Sequence, residues 1–282
     1  MEKKKNTKKV AAAIMLIVFM VLVLLFTILL GAIGGAGPFA FIQRNQVKKL
    51  AGNNEIYALE SVQPLEESPL KGKTLCFLGS SVTLGAKSLD VSFVDYIGRR
   101  NDCSCVKEAV SGTTLVDSGS KSYIKRMKSK ISPDAEFDAF ICQLSTNDAG
   151  WKKKLGKISD SESLEDFDTS TVIGAMEYII VYARQTWNCP VIFYTGTKYE
   201  SEHYQKMVDA LLELQKKYGI GVIDLWNDAE LNAVSEEEYG LYMADSIHPT
   251  QAGYRDWWTP KMEQELYLYL RQDSKSQSWG GD

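Results

Sequence analysis

Four short polar segments contain the residue types that nucleophilic catalysis requires. They are GSSVTLG at 79–85, SGTT at 111–114, STND at 145–148 and DSIHP at 245–249. A serine hydroxyl is a poor nucleophile until a base takes its proton. The first segment supplies serines, and the last supplies a histidine with an aspartate three residues before it. Together the segments predict acyl transfer through an activated serine.

Ser81, His248 and Asp245 are the candidate nucleophile, general base and orienting carboxylate. The other histidine, His203, lies in an amphipathic helical segment and is expected to face solvent. Because Asp245 precedes His248 by three residues, one turn of chain can direct its carboxylate at the imidazole and fix the tautomer. Each motif alone is more often an N-cap or a turn. Their combination favours chemistry.

The charge that develops on the attacked carbonyl oxygen requires fixed hydrogen-bond donors. Three are available: the backbone N–H groups of Ser81 and Gly112, and the side-chain amide of Asn147. Glycine at 112 allows the backbone to approach a substrate closely. The neighbouring Asp148 is expected to cap the next helix rather than to orient the Asn147 loop.

Alternating strands and helices must position these segments. Apolar runs predict strands at 73–79, 103–110, 137–144, 190–195 and 222–226. Helical spacing predicts helices at 91–100, 122–131, 171–187, 202–218 and 250–271, the last interrupted or kinked at Pro260. This alternation predicts an α/β fold with a parallel sheet covered on both faces. Ligands bind such sheets beyond the carboxyl ends of the strands, where the polar segments lie.

The four segments resemble the blocks of the SGNH, or GDSL-type, hydrolase family, and the resemblance covers about residues 73–271. The matched positions are Ser81 for the nucleophile, Gly112 for the second block, Asn147 for the third, and Asp245 with His248 for the last. The resemblance implies a three-layer αβα sandwich with a five-stranded flavodoxin-like sheet. It also implies a serine hydrolase acting on carboxylic ester bonds.

Two positions depart from the family pattern. Ser80 stands where the family most often has Asp, and Ser145 stands where the third block usually begins with Gly. Neither residue carries a bond-making atom, so the departures are expected to affect the level of activity more than the reaction class.

The composition excludes several other functions. Residues 10–282 carry 27 basic and 35 acidic groups, an acidic balance that argues against a nucleic-acid partner. Two histidines argue against a His-rich metal site, and no phosphate-binding or dinucleotide glycine motif opens a βα unit. No metal or cofactor is therefore expected.

The N-terminal region predicts a membrane anchor. No charged residue lies between Lys9 and Arg44, and the 21 residues of 10–30 are almost wholly apolar, enough to span about 31 Å as a helix. A cleaved signal peptide would have an apolar region of about 7–15 residues, although the GGA sequence at 34–36 resembles a cleavage site. Five lysines before the run predict a cytoplasmic N-terminus and an outer body.

The expected organisation of the chain follows from these features. It is a cytoplasmic basic head at 1–9, a transmembrane signal-anchor at 10–36, a stalk at 37–70, an SGNH hydrolase domain at 71–272 and a flexible tail at 273–282.

Several remaining residues have structural interpretations. Cys103 and Cys105 are expected on opposite faces of the second strand, and an exported location would permit a disulfide such as Cys103 with Cys189. Trp257 and Trp258 are expected to pack the last helix, and the lysines at 152–154 beside an exposed loop are expected to face solvent.

The expected function is a membrane-anchored, extracytoplasmic serine esterase at the cell membrane, with the bilayer as a partner of the N-terminal helix. Its substrate would be a small-molecule or glycan ester, plausibly an acetylated glycan or another envelope ester. A lysophospholipase-like lipase or an acyltransferase would use the same triad. A non-catalytic glycan-binding module is the alternative of another class, and retention of all five matched residues argues against it.

Overall fold

Five parallel strands form a single sheet in the order β2-β1-β3-β4-β5. The structure, a computed structural model, describes residues 2–34 and 37–276. The strands are β1 (Thr74–Gly79), β2 (Ser104–Ala109), β3 (Ala139–Gln143), β4 (Val191–Tyr194) and β5 (Gly221–Ile223). Each lies within or beside a predicted apolar run, so the prediction of a five-stranded parallel sheet is confirmed.

Helices cover both faces of the sheet. In chain order they are α1 (Glu2–Gly34), α2 (Ala40–Lys48), α3 (Ser81–Leu84), α4 (Phe93–Asn101), α5 (Tyr123–Lys130), α6 (Thr146–Gly150), α7 (Val172–Trp187), α8 (Glu202–Tyr218), α9 (Glu236–Tyr242) and α10 (Thr259–Ser276). The helices α2, α3, α6 and α9 were not predicted from the sequence. The helix α8 shows how local chemistry sets the limits: the Ser201 hydroxyl accepts from the Tyr204 N–H, and Gly219 ends the helix at φ +60°.

The alternation of side chains along the strands divides the core into two layers. Cys76 and Leu78 of β1 face a cluster that includes residues of α5, α7 and α8. Leu75 and Phe77 face a second cluster that includes residues of α4 and α10. From Leu75 to Gly79 both faces of β1 are buried, and this part of its sequence is continuously apolar. The αβα sandwich is confirmed.

The strand order locates the crevice of the sheet. Strand β1 pairs with β2 on one side and β3 on the other, with Leu78 opposite Cys142 in the β1–β3 register. Successive strands are therefore added on one side of β1 up to β2 and on its other side from β3 onwards. Ligands of such sheets bind at this switch point, beyond the carboxyl ends of the strands. Ser81 and Asn147 follow the two strands that flank it.

The segment before β1 is held against the body. Residues 51–70 belong to the same compact unit as the sheet, and Leu70 is fully buried. The Tyr96 hydroxyl donates to the Tyr57 carbonyl at 2.6 Å, and Arg99 Nε donates to the Val62 carbonyl at 2.7 Å. This part of the expected stalk is therefore packed rather than free. The other domain limits stay predictions.

The N-terminal unit, Met1–Leu50, contains one helix that could cross a membrane by length and composition. The span Lys9–Gly31 has 23 residues and a mean hydropathy of 3.3. A signal sequence near the N-terminus can also meet these criteria of length and composition. Two residues of the GGA sequence, 35 and 36, lie outside the described residues, as do residues 277–282 of the expected tail.

The last helical region differs from its prediction in one respect. A π-helical turn, Gly253–Trp258, leads directly into α10, and Pro260 lies in the first turn of α10. Proline has no N–H to donate to the preceding turn, so the irregularity lies before Pro260 rather than at it. Trp257 is 8% exposed and Trp258 fully buried, so both pack the core as expected.

The prediction for Cys103 and Cys105 is wrong. Their sulfur atoms lie 3.9 Å apart. Residues i and i+2 of an extended segment point to the same face, so the period of a strand places Cys103 and Cys105 together, although β2 itself begins at Ser104. All five cysteines are free thiols.

Candidate active site

Ser81 is the first residue of α3, immediately beyond the carboxyl end of β1. The turn is tight because Gly79 has no side chain: a Cβ there would lie 1.6 Å from Thr83 Oγ1. The turn leaves Ser81 largely buried, at 7% exposure, and points its hydroxyl towards His248.

Ser81, His248 and Asp245 form a continuous hydrogen-bonded chain. Ser81 Oγ lies 2.8 Å from His248 Nε2, and His248 Nδ1 lies 2.9 Å from both carboxylate oxygens of Asp245. A carboxylate can only accept, so Nδ1 carries the proton and Nε2 is left to accept from the serine. The three residues therefore have the geometry that lets a serine lose its proton as it attacks.

The loop that carries the histidine is closed at its base. The Ala244 N–H donates to the His248 carbonyl at 2.9 Å, and the Thr250 N–H donates to the Tyr242 carbonyl at 2.8 Å. Within the loop, Asp245 Oδ1 also accepts from the His248 backbone N–H at 2.9 Å. The carboxylate thus holds both the backbone and the side chain of the candidate base.

Asp245 is kept ionised by these partners. Burial would raise its pKa, but the hydrogen bond and charge of His248, with the backbone N–H groups of Ile247 and His248, lower the pKa to about 2. Its side chain is still 43% exposed. The carboxylate is therefore charged at any pH at which an imidazole is neutral.

The three candidate oxyanion donors lie beyond neighbouring strands. Gly112 has φ +71°, and no atom lies within 4 Å of the position that a Cβ would occupy. Asn147, in the first turn of α6, donates from Nδ2 to the Thr113 carbonyl at 2.9 Å, which leaves a second N–H on the same nitrogen. The Ser81 amide, at the start of α3, is the third candidate donor.

Comparison with known families matches this arrangement. The model of the GDSL-like lipase/acylhydrolase family matches residues 77–255, more than half of the chain. The chain belongs to this family. It is accordingly a serine hydrolase that acts on ester bonds.

Solved structures show the same fold. They include a protein from Lactobacillus plantarum (20% identity, TM-score 0.58, covering 72% of this chain and 98% of that one), a Bacteroides ovatus protein named for the GDSL-like lipases (17%, 0.53, 72% and 99%) and the acetyl xylan esterase AlAXEase (16%, 0.52, 68% and 99%). At these identities the likeness concerns the fold alone. No curated protein matches the sequence.

A hydrogen-bond network of uncharged side chains holds Ser80, the first departure from the GDSL pattern. Gln143 Oε1 accepts from the Ser80 N–H at 2.8 Å and from Thr83 Oγ1 at 2.7 Å. Because the Thr83 hydroxyl donates to Gln143, it accepts from the Tyr194 hydroxyl at 2.6 Å. An amide and two hydroxyls thus fix the start of α3 in this member of the GDSL-like family.

Ser145, the second departure, is the N-cap of α6. Its hydroxyl accepts from the Asp148 N–H at 3.3 Å. The expectation that Asp148 caps this helix is therefore wrong. The Asp148 carboxylate instead accepts from the N–H groups of Leu115 and Val116, at 2.8 and 3.2 Å, and so fixes the loop that follows Gly112.

Arg126 was missed by the sequence reasoning. It is 4% exposed, and its guanidinium donates to the Gly79 carbonyl at 2.7 Å and to Thr113 Oγ1 at 3.0 Å. The sequence signal for its burial is its spacing. Arg126 lies three residues after Tyr123 and next to Met127, on the buried stripe of α5.

Two further expectations concern His203 and metals. His203 Nε2 lies 2.8 Å from the Lys153 carbonyl, so the ring is a structural donor rather than a solvent-facing group. Among the residues that the structure describes, no group of three or more His, Cys, Asp or Glu side chains could hold a metal ion.

Proposed function

We propose that this protein is a membrane-anchored extracytoplasmic serine esterase with Ser81 as nucleophile, His248 as general base and Asp245 as its orienting carboxylate. The observation that carries the proposal is the chain of contacts from Ser81 Oγ to His248 Nε2 at 2.8 Å and from His248 Nδ1 to Asp245 at 2.9 Å. This chain of contacts lies at the switch point of the sheet, where ligands of such folds bind.

In the acylation half, Ser81 Oγ attacks the ester carbonyl carbon while its proton passes to His248 Nε2. The carbonyl oxygen becomes an oxyanion, which accepts hydrogen bonds from the N–H groups of Ser81 and Gly112 and from Asn147 Nδ2. When the tetrahedral intermediate collapses, the bond to the alcohol breaks. The alcohol oxygen takes the proton from His248, and the acyl group stays on Ser81.

In the deacylation half, a water molecule takes the place of the alcohol. His248 accepts a proton from the water as its oxygen attacks the acyl carbon, and the same three donors stabilise the second oxyanion. Collapse returns the proton to Ser81 Oγ and releases the carboxylic acid. Asp245 remains ionised throughout and stabilises the imidazolium formed in each half.

The proposed substrate class is an acyl ester of a glycan or of another component of the cell envelope, with acetyl as the acyl group to test first. An outer location would expose the enzyme to such esters. One protein of the same fold is an acetyl xylan esterase, and that name suggests acetylated sugars as a test class here.

The membrane part of the proposal rests on the span Lys9–Gly31 and the five lysines that precede or begin it. The positive-inside rule then keeps the N-terminus in the cytoplasm and the body outside. External protease on intact cells should digest the body and spare the lysine-rich head. A body protected until lysis would contradict this topology, and a soluble mature form beginning near Gly37 would indicate a cleaved signal peptide.

A fluorophosphonate probe tests the catalytic part. The parent protein should be labelled, and Ser81→Ala should abolish labelling, whereas Ser120→Ala, a matched change at an exposed serine, should not. A panel of p-nitrophenyl esters from acetyl to palmitoyl then measures the acyl preference. Folded parent protein that neither labels nor turns over any ester would refute the esterase and favour a binding module.

A further inference from the structure

Trp151 differs from the other tryptophans that the structure describes. It is 57% exposed, whereas the others are at most 8% exposed; these are Trp187, Trp226, Trp257 and Trp258. A tryptophan buries about 150–250 Å² when it is packed. Exposing most of an indole forgoes that stabilisation, so its position needs another explanation.

The indole is exposed on a fixed backbone. The Trp151 N–H donates to the Asn147 carbonyl at 2.9 Å, and the Lys153 N–H donates to the Asp148 carbonyl at 2.9 Å. His203 Nε2 donates to the Lys153 carbonyl at 2.8 Å from α8. Trp151 is thus held in place without being buried, as a preorganised contact surface would be.

This surface adjoins the candidate oxyanion donors. Trp151 lies one helical turn beyond Asn147, about 5–6 Å along the axis of α6. Lys153 Nζ lies 5.8 Å from the centre of the indole ring and donates to Ser118 Oγ at 3.2 Å, in the loop that follows Gly112. Trp151 therefore contacts the Asn147 backbone directly and is connected through Lys153 to the segment that contains Ser118.

We infer that Trp151 is a subsite for a sugar ring of the substrate, next to the ester that Ser81 would attack. The C–H groups on one face of a sugar ring carry partial positive charge and pack on the negative face of an indole. The exposed lysines beside it, Lys152 and Lys154, would favour a ring that carries a carboxylate or phosphate. The inference rests on the proposed esterase function and specifies its substrate as an ester of an acidic glycan.

A lipid surface is the other partner that an exposed tryptophan with lysines suggests. Binding to lipid requires a broad apolar face. Trp151 is flanked by Gly150 on one side and by three lysines, 152–154, on the other, and none of these adds apolar side-chain surface of comparable size. A single flat ring between cations fits one sugar better than a layer of acyl chains.

Paired substrates test the inference. For Trp151→Ala in the full chain, kcat/KM on O-acetylated oligouronates should fall about tenfold, mainly through KM, while kcat/KM on p-nitrophenyl acetate stays within about twofold. Trp151→Phe should recover most of the loss because it keeps an aromatic face. Leu268→Ala, a change at another exposed apolar residue, should leave both substrates unaffected.

Other outcomes would overturn the inference. An equal loss on both substrates would mean that Trp151 acts only through the Asn147 backbone. A loss confined to p-nitrophenyl palmitate would identify a lipid contact. Unchanged kinetics on the oligouronate would exclude the subsite, and an equal loss on neutral O-acetylated xylo-oligosaccharides would remove the preference for acidic rings.

Failure of the esterase function is distinguishable from failure of the subsite. If the parent protein does not hydrolyse p-nitrophenyl acetate in a Ser81-dependent way, the proposed function fails. Binding of the same oligouronate to Ser81→Ala, measured by calorimetry with and without Trp151→Ala, then tests the subsite alone. An unchanged Kd in that pair would overturn it.

Discussion

Arg126 donates a hydrogen bond of 3.0 Å to the hydroxyl of Thr113, the residue that follows Gly112. The Thr113 hydroxyl in turn donates to the Val110 carbonyl at 2.7 Å, and the Thr113 carbonyl accepts from Asn147 Nδ2 at 2.9 Å. Thr113 therefore connects a buried cation to two of the three proposed oxyanion donors. We interpret Arg126 and Thr113 as positioning residues for the Gly112 amide.

Thr113→Val tests this interpretation. Valine keeps the shape but removes the hydroxyl, so the turn that presents Gly112 loses two hydrogen bonds. Since an oxyanion donor acts in the transition state, kcat should fall by about tenfold or more with little change in KM. A buried Arg126 donor left unpaired should also cost about 1–3 kcal/mol of unfolding free energy.

Thr113→Ser is the matched control, because it restores the hydroxyl without the methyl group. It should recover most of kcat. If Thr113→Ser reduces kcat as much as Thr113→Val does, restoring the hydroxyl is not enough, and the two hydrogen bonds alone do not position Gly112.

Asn147→Ala should lower kcat by about 10²–10³, which corresponds to the roughly 2.7–4 kcal/mol that one oxyanion donor supplies. The ground-state carbonyl gains little from that donor, so KM should change only slightly. Fluorophosphonate labelling should continue slowly, in contrast to Ser81→Ala.

The structure adds a control to this experiment, because Asn147 also donates to the Thr113 carbonyl. A small fall in melting temperature is expected from that loss. Near-native kcat would leave the oxyanion to the Ser81 and Gly112 amides alone. If the variant melts far below the parent, Asn147→Ser or Asn147→Asp must replace it in the kinetic comparison.

The sheet and the large helices could be predicted because their signals are local. Strand β1 is continuously apolar and ends at Gly79, and α8 carries both an N-cap serine and the terminal Gly219. The prediction for Cys103 and Cys105 failed because side chains two residues apart in an extended segment point to the same face and not to opposite faces.

The sequence predicts the candidate triad, whose three residues the structure brings within hydrogen-bond distance, but not the residues that support it. Ser81, His248 and Asp245 stand out because reaction chemistry restricts the residue types. Arg126 lies in a helix with three lysines, which locally resembles a solvated basic helix. Its burial depends on contacts with Gly79 and Glu108, from other parts of the chain, and no short segment of sequence contains that information.

The pH dependence of hydrolysis should report a single proton. Because the pKa of Asp245 is about 2, its carboxylate stays ionised from pH 4 to 9 and takes up no proton in the range of the measurement. The kcat/KM for p-nitrophenyl acetate should therefore fall by at most tenfold per pH unit on the acidic side, measured at the isosbestic wavelength of p-nitrophenol. A limb steeper than tenfold per pH unit would contradict this assignment.

Asp245→Asn tests the orienting role at constant pH. The amide can still accept from the backbone of the loop, but its NH₂ group would face His248 Nδ1 and favour the tautomer with the proton on Nε2. That tautomer cannot accept from Ser81, so kcat should fall by about 10⁴. A fall of less than tenfold would mean that the histidine loop alone sets the orientation.

The last prediction concerns the buried carboxylate of Asp148 and the stability of the fold. Burial raises its pKa, although hydrogen bonds from Ser145, Leu115 and Val116 oppose that shift. A folded pKa above the unfolded value of about 3.9 means that the folded state binds the proton more tightly. The contribution of Asp148 to stability is therefore fully present below the unfolded pKa and is lost as the pH rises through the folded pKa.

Asp148→Asn isolates this contribution because asparagine does not titrate. The free energy of unfolding of each protein is measured by urea titration in the same detergent. The value for the parent minus the value for the variant should increase as the pH falls from 7 towards 4. Carboxylates with lowered pKa values, such as Asp245 and Asp138, are present in both proteins and cancel in the difference. A difference that decreases on acidification would show that the hydrogen bonds from Leu115 and Val116 outweigh burial, so that Asp148 stabilises the Gly112 loop as a carboxylate. A constant difference would mean that the two effects cancel and would also contradict the prediction.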